Sequence, residues 1–274
     1  MTEASGRGYI LSHERSFSYM NTTSADASVK SAKRVLDILE FFAARKSPAT
    51  LAVLAESMAL PKTSAFALLR TLEAAGYMYF VRDDLGWYPT SRWADHALKV
   101  AEHDPVVPAI HPTLRWLCDE SGETAVLGTL AGDQVLYLDA VEPDLTIRFV
   151  AEVGQRKPVY GSSSGRGMLS LMAPEERRKM LDRVNLIRHT PLTITELPEI
   201  EAEIERGAAR GWHTAFGEFQ GGSLSVSVPI QIGRQPYALI IGAPLERARA
   251  KVDELGDLLV KAAQSITGAK ALRA

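Results

Sequence analysis

Gly161-Ser162-Ser163-Ser164-Gly165 sets three hydroxyls in a row between two glycines. Two chemistries use such a stretch. As G-x-S-x-G it has the form of a nucleophile elbow, with Ser163 attacking an ester. That chemistry requires a buried strand before the motif, a helix after it, and a later Asp and His. As the start of a helix it offers hydroxyls and free backbone amides, which suit a carboxylate. A helix does follow, but Gln155-Arg156-Lys157-Pro158 ahead of it makes a poor central strand, because proline removes a ladder donor. The only later histidines, His189 and His213, stand in no triad context. Anion binding is the preferred reading, a serine hydrolase the alternative, and plain capping of the helix the bland one.

A second set of residues suits contact with phosphates and bases. Lys62, Thr63, Ser64, Phe66 and Arg70 share the outer face or the amino end of one predicted helix. That helix runs from about Pro61 to Ala75, and Ala65, Leu68, Leu69 and Leu72 form its inward stripe. A shorter helix precedes it, with Leu51, Leu54, Ala55 and Met58 spaced i, i+3, i+4, i+7. Pro61 cannot continue the first helix but is welcome in the first turn of the second. Two short helices joined by a tight turn, the second with a basic and hydroxylated face, describe a helix-turn-helix.

Gly76 is placed to end the second helix. Tyr77–Val81 and Leu85–Tyr88 then read as a two-stranded wing around Arg82-Asp83-Asp84. An earlier helix carries Val35, Ile38, Leu39 and Phe42 on one face, with Ser28 or Ser31 as its cap. Lys33 and Arg34 lie at its amino end, where backbone amides can also meet a phosphate. The alternative is a helical subdomain that only packs.

Composition bounds the rest. The 274 residues, 46% hydrophobic and 23% charged, are those of an ordinary globular protein of one or two domains. No apolar run is long enough for a membrane span, and the amino end lacks the apolar core of a secretion signal. Cys118 stands alone, which precludes an internal disulfide and fits a cytoplasmic protein. The six histidines show no ligand spacing, so neither metal nor cofactor is expected. Residues 28–90 hold eight basic and six acidic side chains, in a chain whose net charge is -2. The sign fits a basic head on an acidic body, and a dimer doubles the small positive face offered to DNA.

The domains expected are a polar tail at 1–27, a winged helix-turn-helix at 28–90, a linker helix at 91–104 and a second domain at 105–274. In the second domain, Val107 to Leu117 reads as a helix. Thr124–Leu130, Val135–Val141 and Leu145–Val153 read as strands, the first two joined by a hairpin turn at Ala131-Gly132-Asp133-Gln134. Helices follow at Ser164–Met172, from Pro174, and at Pro198–Arg210. Two more strands, Ser223–Gln231 and Pro236–Ala243, flank Gly233-Arg234-Gln235, and a helix from Arg247 to about Ile266 closes the chain. Hairpins with helical crossovers give an α+β fold, an antiparallel or mixed sheet flanked by helices.

The order of these elements, with LPKTSAFALLRTLEAAGY in the helix-turn-helix and SGETAVLGTLAGDQVLYLDAVE in the second domain, resembles the IclR family of bacterial transcriptional regulators over about residues 28–268. Gly211, Glu218, Ser225-Val226-Ser227 and Ile230 fall on the family's carboxy-terminal signature. Ala215, Gln231 and Ile232 depart from it, as does Phe66-Ala67 in the recognition helix.

The resemblance implies double-stranded operator DNA as partner, contacted through Lys33, Arg34, Lys62, Thr63, Ser64, Phe66, Arg70 and Arg82. It implies a homodimer or a dimer of dimers, and no enzyme activity. It also implies a GAF-like carboxy-terminal domain that binds a small effector, an organic acid, aldehyde or aromatic metabolite, with relief of repression of a catabolic operon. The pocket expected from it combines Ser162, Ser163 and Ser164 with Ser223 and Ser225, with Ile240 and Gly242 on the next strand, and with Phe149 on the third strand as apolar wall. Glu218 either orients the loop or accepts from a ligand hydroxyl.

Overall fold

A computed structural model describes residues 29–268, and the chain divides between Trp93 and Ala94 into two compact units. The tail at 1–27 and Ser28, one of the two expected caps, lie outside the described residues.

The first unit contains α1 (Lys30–Arg45), α2 (Leu51–Ser57), α3 (Lys62–Ala74), β1 (Met78–Arg82) and β2 (Gly86–Pro89). Thr50 caps α2 by accepting the Val53 amide. Ala59 takes a left-handed conformation and Pro61 precedes α3, so the chain turns by 113° between the two helices. Ala65, Leu69 and Leu72 of α3 are buried, and Leu69 and Leu72 join Ile38, Phe42, Leu54, Met78 and Trp87 in one core. Each such burial contributes on the order of 2 kcal/mol, which is what holds these short helices. Ser31 does not cap α1. It lies within the helix, whose cap position is Val29 with no side-chain bond.

The wing is an antiparallel hairpin with Met78 opposite Pro89 and Phe80 opposite Trp87. Gly86 is required there twice over. Its φ is +81°, and a Cβ would stand 2.1 Å from the Ala49 carbonyl oxygen, against which the strand docks. Helix α4 (Arg92–Glu102) buries none of its residues.

The second unit is built on a six-stranded sheet in the order β5-β4-β3-β8-β7-β6, antiparallel throughout. The strands are β3 (Thr124–Ala131), β4 (Gln134–Val141), β5 (Arg156–Pro158), β6 (His213–Phe216), β7 (Ser223–Ile232) and β8 (Gln235–Pro244). Side chains alternate across it. Leu127, Leu239 and Ile241 face α5 (Val107–Ser121) and α10 (Val252–Gly268), whereas Val126, Tyr137 and Ile240 face α6 (Ser163–Ser170), α7 (Pro174–Leu181) and α8 (Leu197–Arg210). The result is a sheet with helices on both faces.

Three expectations for this unit change. Leu145–Val153 is not a strand. Its aliphatic residues alternate, but Leu145, Ile147, Val150 and Val153 are exposed, and the edge of β4 is taken by Arg156–Pro158. A short strand at His213–Phe216 was not anticipated. The closing helix is divided into α9 (Leu245–Ala248), a 3-10 turn (Arg249–Lys251) and α10. No single helix among the described residues is long and apolar enough to cross a membrane.

Candidate functional site

In the first unit the outer side of α3 carries Lys62, Thr63, Phe66 and Arg70, all exposed, with Ser64 half-buried. The spacing of the inward Ala65, Leu69 and Leu72 forces this arrangement, because residues three and four apart share a face. Phe66 packs edge-on against Trp87, whose ring also meets Phe80 at 4.8 Å, so an aromatic seam ties the helix to the wing. Lys62, Phe80 and Trp87 line a cleft between the start of α3 and the wing.

The cations divide in two. Lys33 pairs with Asp37 at 2.9 Å, Arg70 with Glu73 at 2.6 Å and Arg82 with Asp84 at 2.8 Å. Lys62 and Arg34 make no ion pair among the described residues. Exposed pairs of this kind contribute about 0–1 kcal/mol, so each paired cation can be redirected to a phosphate or base at little cost.

In the second unit the Gly/Ser stretch turns into α6. Ser162 is the cap: its Oγ accepts the Gly165 amide at 3.1 Å and donates to the Pro158 carbonyl at 2.7 Å. Gly165 lets this turn close, since a Cβ would lie 2.2 Å from the Val159 carbonyl oxygen. Ser163 donates to Ser225 of β7 at 2.9 Å and is fully buried. Among the described residues no histidine bonds to Ser163, and the strand ahead of it, β5, is a sheet edge. The elbow geometry is therefore missing. His213 is buried and held down to about 4, first by burial and then by Arg210 and Arg166, and so is neutral.

Beside this turn lies a cavity of about 20 Å³, room for little more than a water. Of the residues expected in it, Phe149, Ser162, Glu218, Ser223 and Ser225 line it. Phe149 does so from an irregular segment rather than a strand, anchored where its carbonyl accepts the Thr124 hydroxyl at 2.5 Å. Its ring lies on Gly242, where a Cβ would come within 2.5 Å, so Gly242 forms the backing of that wall. Ser163 reaches the cavity only through Ser225. Ser164 and Ile240 do not line it: Ser164 is buried within α6, and Ile240 is in the core.

Residues not anticipated complete the site. Tyr137, Lys157, Ala215 and Phe219 also line the cavity. Arg166, wholly buried, donates to the Tyr160 and Thr214 carbonyls and closes a two-pronged ion pair on Glu218. Glu218 is thus held by Arg166 and orients the loop after β6. Lys157 was missed because a Lys next to a Pro reads as loop. The only signal was period-2 alternation, which as part of a strand sets it on the side opposite Arg156.

These two structures, a winged helix-turn-helix and a helix-flanked antiparallel sheet with a small cavity lined by aromatic rings and hydroxyls, are those of a regulator of transcription. The chain matches the model for the IclR helix-turn-helix domain over residues 31–82 and that for the bacterial transcriptional regulator IclR C-terminal over residues 98–268, and it belongs to the IclR family. The members of that family are DNA-binding proteins and not enzymes.

Among curated relatives, the probable transcriptional regulator SauR of Cupriavidus necator is 29% identical over 82% of this chain and 89% of its own length. The transcriptional repressor IclR of Escherichia coli is 28% identical over 90% of this chain and 92% of its own. The crystal structure of an IclR homolog from Microbacterium hydrocarbonoxydans complexed with 4-hydroxybenzoate matches with a TM-score of 0.69 at 24% identity, covering 86% of this chain and 97% of that one.

Proposed function

We propose that this regulator is a repressor whose grip on operator DNA is relieved by a small organic metabolite held in the cavity beside α6. The observation that carries the reading is the convergence of Ser162, Ser223, Ser225 and Glu218 with the Phe149 ring on one small cavity. Ser162 and Ser223 spend their protons on the Pro158 and Gln220 carbonyls, whereas Ser225 only accepts, from Ser163, and keeps a proton to donate. One such donor facing an aromatic wall suits a small polar ligand. The IclR homolog complexed with 4-hydroxybenzoate supports a ligand-binding role for this fold. The target in this reading is a catabolic operon, which similarity to the acetate operon repressor of Salmonella typhimurium supports, and the location is cytoplasmic.

On the DNA side, Thr63, Ser64, Phe66 and Arg70 of α3 read the major groove, Lys62 at its start holds a phosphate, Arg82 reaches the backbone from the wing, and Lys33 and Arg34 hold phosphates at the start of α1. A homodimer, or a pair of them, supplies the second half-site contact that the modest basic excess of one subunit calls for.

The test is a mobility shift on the DNA upstream of the protein's own gene, with and without a panel of organic acids, aldehydes and aromatics. Ser225→Leu fills the cavity. It should leave operator binding intact and remove the response to any compound that releases the wild type. Release of both proteins by the same concentration of one compound would place its site elsewhere.

A further inference from the structure

Lys157 is the one cation of the pocket that nothing so far uses. Strand β5 turns it inward opposite Val135, and it is 4% exposed while Arg156 before it faces solvent. Its Nζ lies 4.1 Å from the centroid of the Phe219 ring, 5.9 Å from that of Tyr137 and 6.0 Å from that of Phe149. It makes no ion pair among the described residues. Glu218, the acid lining the same cavity, is committed to Arg166. Ring faces compensate a buried ammonium only in part, since such contacts recover less than its loss of hydration. A Met or Leu packs there at lower cost, so the charge is placed for something that enters the cavity.

The charge count specifies what that is. With Arg166 and Glu218 cancelling, Lys157 is the one charge of the wall left without an ion-pair partner, and the other polar side chains there, Tyr137, Ser162, Gln220, Ser223 and Ser225, are neutral hydroxyls and an amide. A single negative charge is the complement. The cavity is too small for an organic anion as it stands, and the group resting over the ammonium is the Phe219 ring. Phe219 belongs to a loop between Gly217 and Gly222, both at positive φ, a backbone that permits the ring to swing aside.

We infer that Lys157 reads the charge of the effector and that the effector is a small monocarboxylate, whose carboxylate takes the place of the Phe219 ring over the ammonium. This rests on the ligand-responsive reading above and narrows it.

The test uses the full chain and acid–amide pairs of equal shape: acetate with acetamide, and benzoate with benzamide. Binding is followed by calorimetry for the wild type, Lys157→Met and Lys157→Arg. At least one acid should bind the wild type roughly tenfold or more tightly than its amide, the worth of one charged hydrogen bond. Lys157→Met should lose that preference and Lys157→Arg retain part of it. Amides equal to acids, an undiminished preference in Lys157→Met, or no acid bound at all would each overturn the inference. So would covalent trapping on Lys157 by borohydride with the matching aldehydes, which would make the amine a nucleophile. Operator release is measured separately. Acids that bind through Lys157 without releasing DNA would refute the repressor reading and leave the charge selectivity standing.

Discussion

Arg166 and Glu218 form a two-pronged ion pair with side chains only 1% and 6% exposed, joining α6 to the loop after β6. The guanidinium also donates to the carbonyls of Tyr160 and Thr214. One residue therefore clamps the chain before α6, strand β6 and the Phe219 loop together. Burial makes the pair costly to break from one side, because the remaining charge is left without hydration.

Arg166→Met and Glu218→Gln should each lower unfolding free energy by about 3–5 kcal/mol in urea titrations. The double variant Arg166→Met/Glu218→Gln should lose clearly less than the two losses combined. Additive losses would mean that the two side chains act independently.

Lys157 gives a pH signature. Burial lowers it from the usual lysine range to about 8, with Glu152 acting in the other direction. The unfolded lysine titrates near ~10.4, so above pH 8 the unfolded chain binds more protons than the folded one, and this group's contribution to stability rises with pH up to that value. Below pH 8 its cost is fully present. Lys157→Met should be more stable than the wild type at neutral pH, on the order of 3 kcal/mol, with the gap closing between pH 8 and 10. Tyr137 and His189 also face this region, and comparing the two proteins cancels the contribution of Tyr137 but not that of His189. His189, lowered by burial and then by the Lys157 charge, should titrate higher in the variant. A pH-independent gap would show that the ammonium stays hydrated.

On DNA, Lys62 and Arg70 should behave differently. Lys62→Ala should weaken specific and random duplexes alike and reduce the salt slope by about one. Arg70 must first leave Glu73. Arg70→Ala should cost about 1–3 kcal/mol on the operator alone, and Glu73→Gln should tighten binding slightly. Fluorescence anisotropy at several salt concentrations separates these outcomes. Equal behaviour of Lys62→Ala and Arg70→Ala on operator and random DNA would remove the distinction drawn here.

Gly165→Ala tests the turn into α6. Its Cβ would meet the Val159 backbone at 2.2 Å, and backbone has little freedom to yield. A loss of about 1–3 kcal/mol in thermal unfolding is expected, despite the better helix propensity of alanine. A stabilised variant would mean that the segment before α6 is free to move.

Much of this protein follows from its sequence alone. Ala65, Leu69 and Leu72 at helical spacing, broken from Leu54 by Pro61, suffice for the helix-turn-helix. Gly132 and Gly233 suffice for the two large hairpins, because such turns need a residue at positive φ. These are local signals, decided within a few residues. The wing needed one more, Gly86, and that too is local.

The tertiary structure decided what depends on partners distant in the chain. Leu145–Val153 alternates as a strand should, yet an edge has room for only one neighbour, and Arg156–Pro158 occupies it. Glu218 was legible as an important acid, but whether it faced a ligand or a cation depended on Arg166, 52 positions earlier. Lys157 was legible only as a charge beside a proline. Its burial arises because β5 pairs with β4 and lays it among Tyr137, Phe149 and Phe219, rings from three separate segments. Spacing along a chain reports which residues share a face. It does not report which faces meet, and the charge of this pocket is set by that meeting.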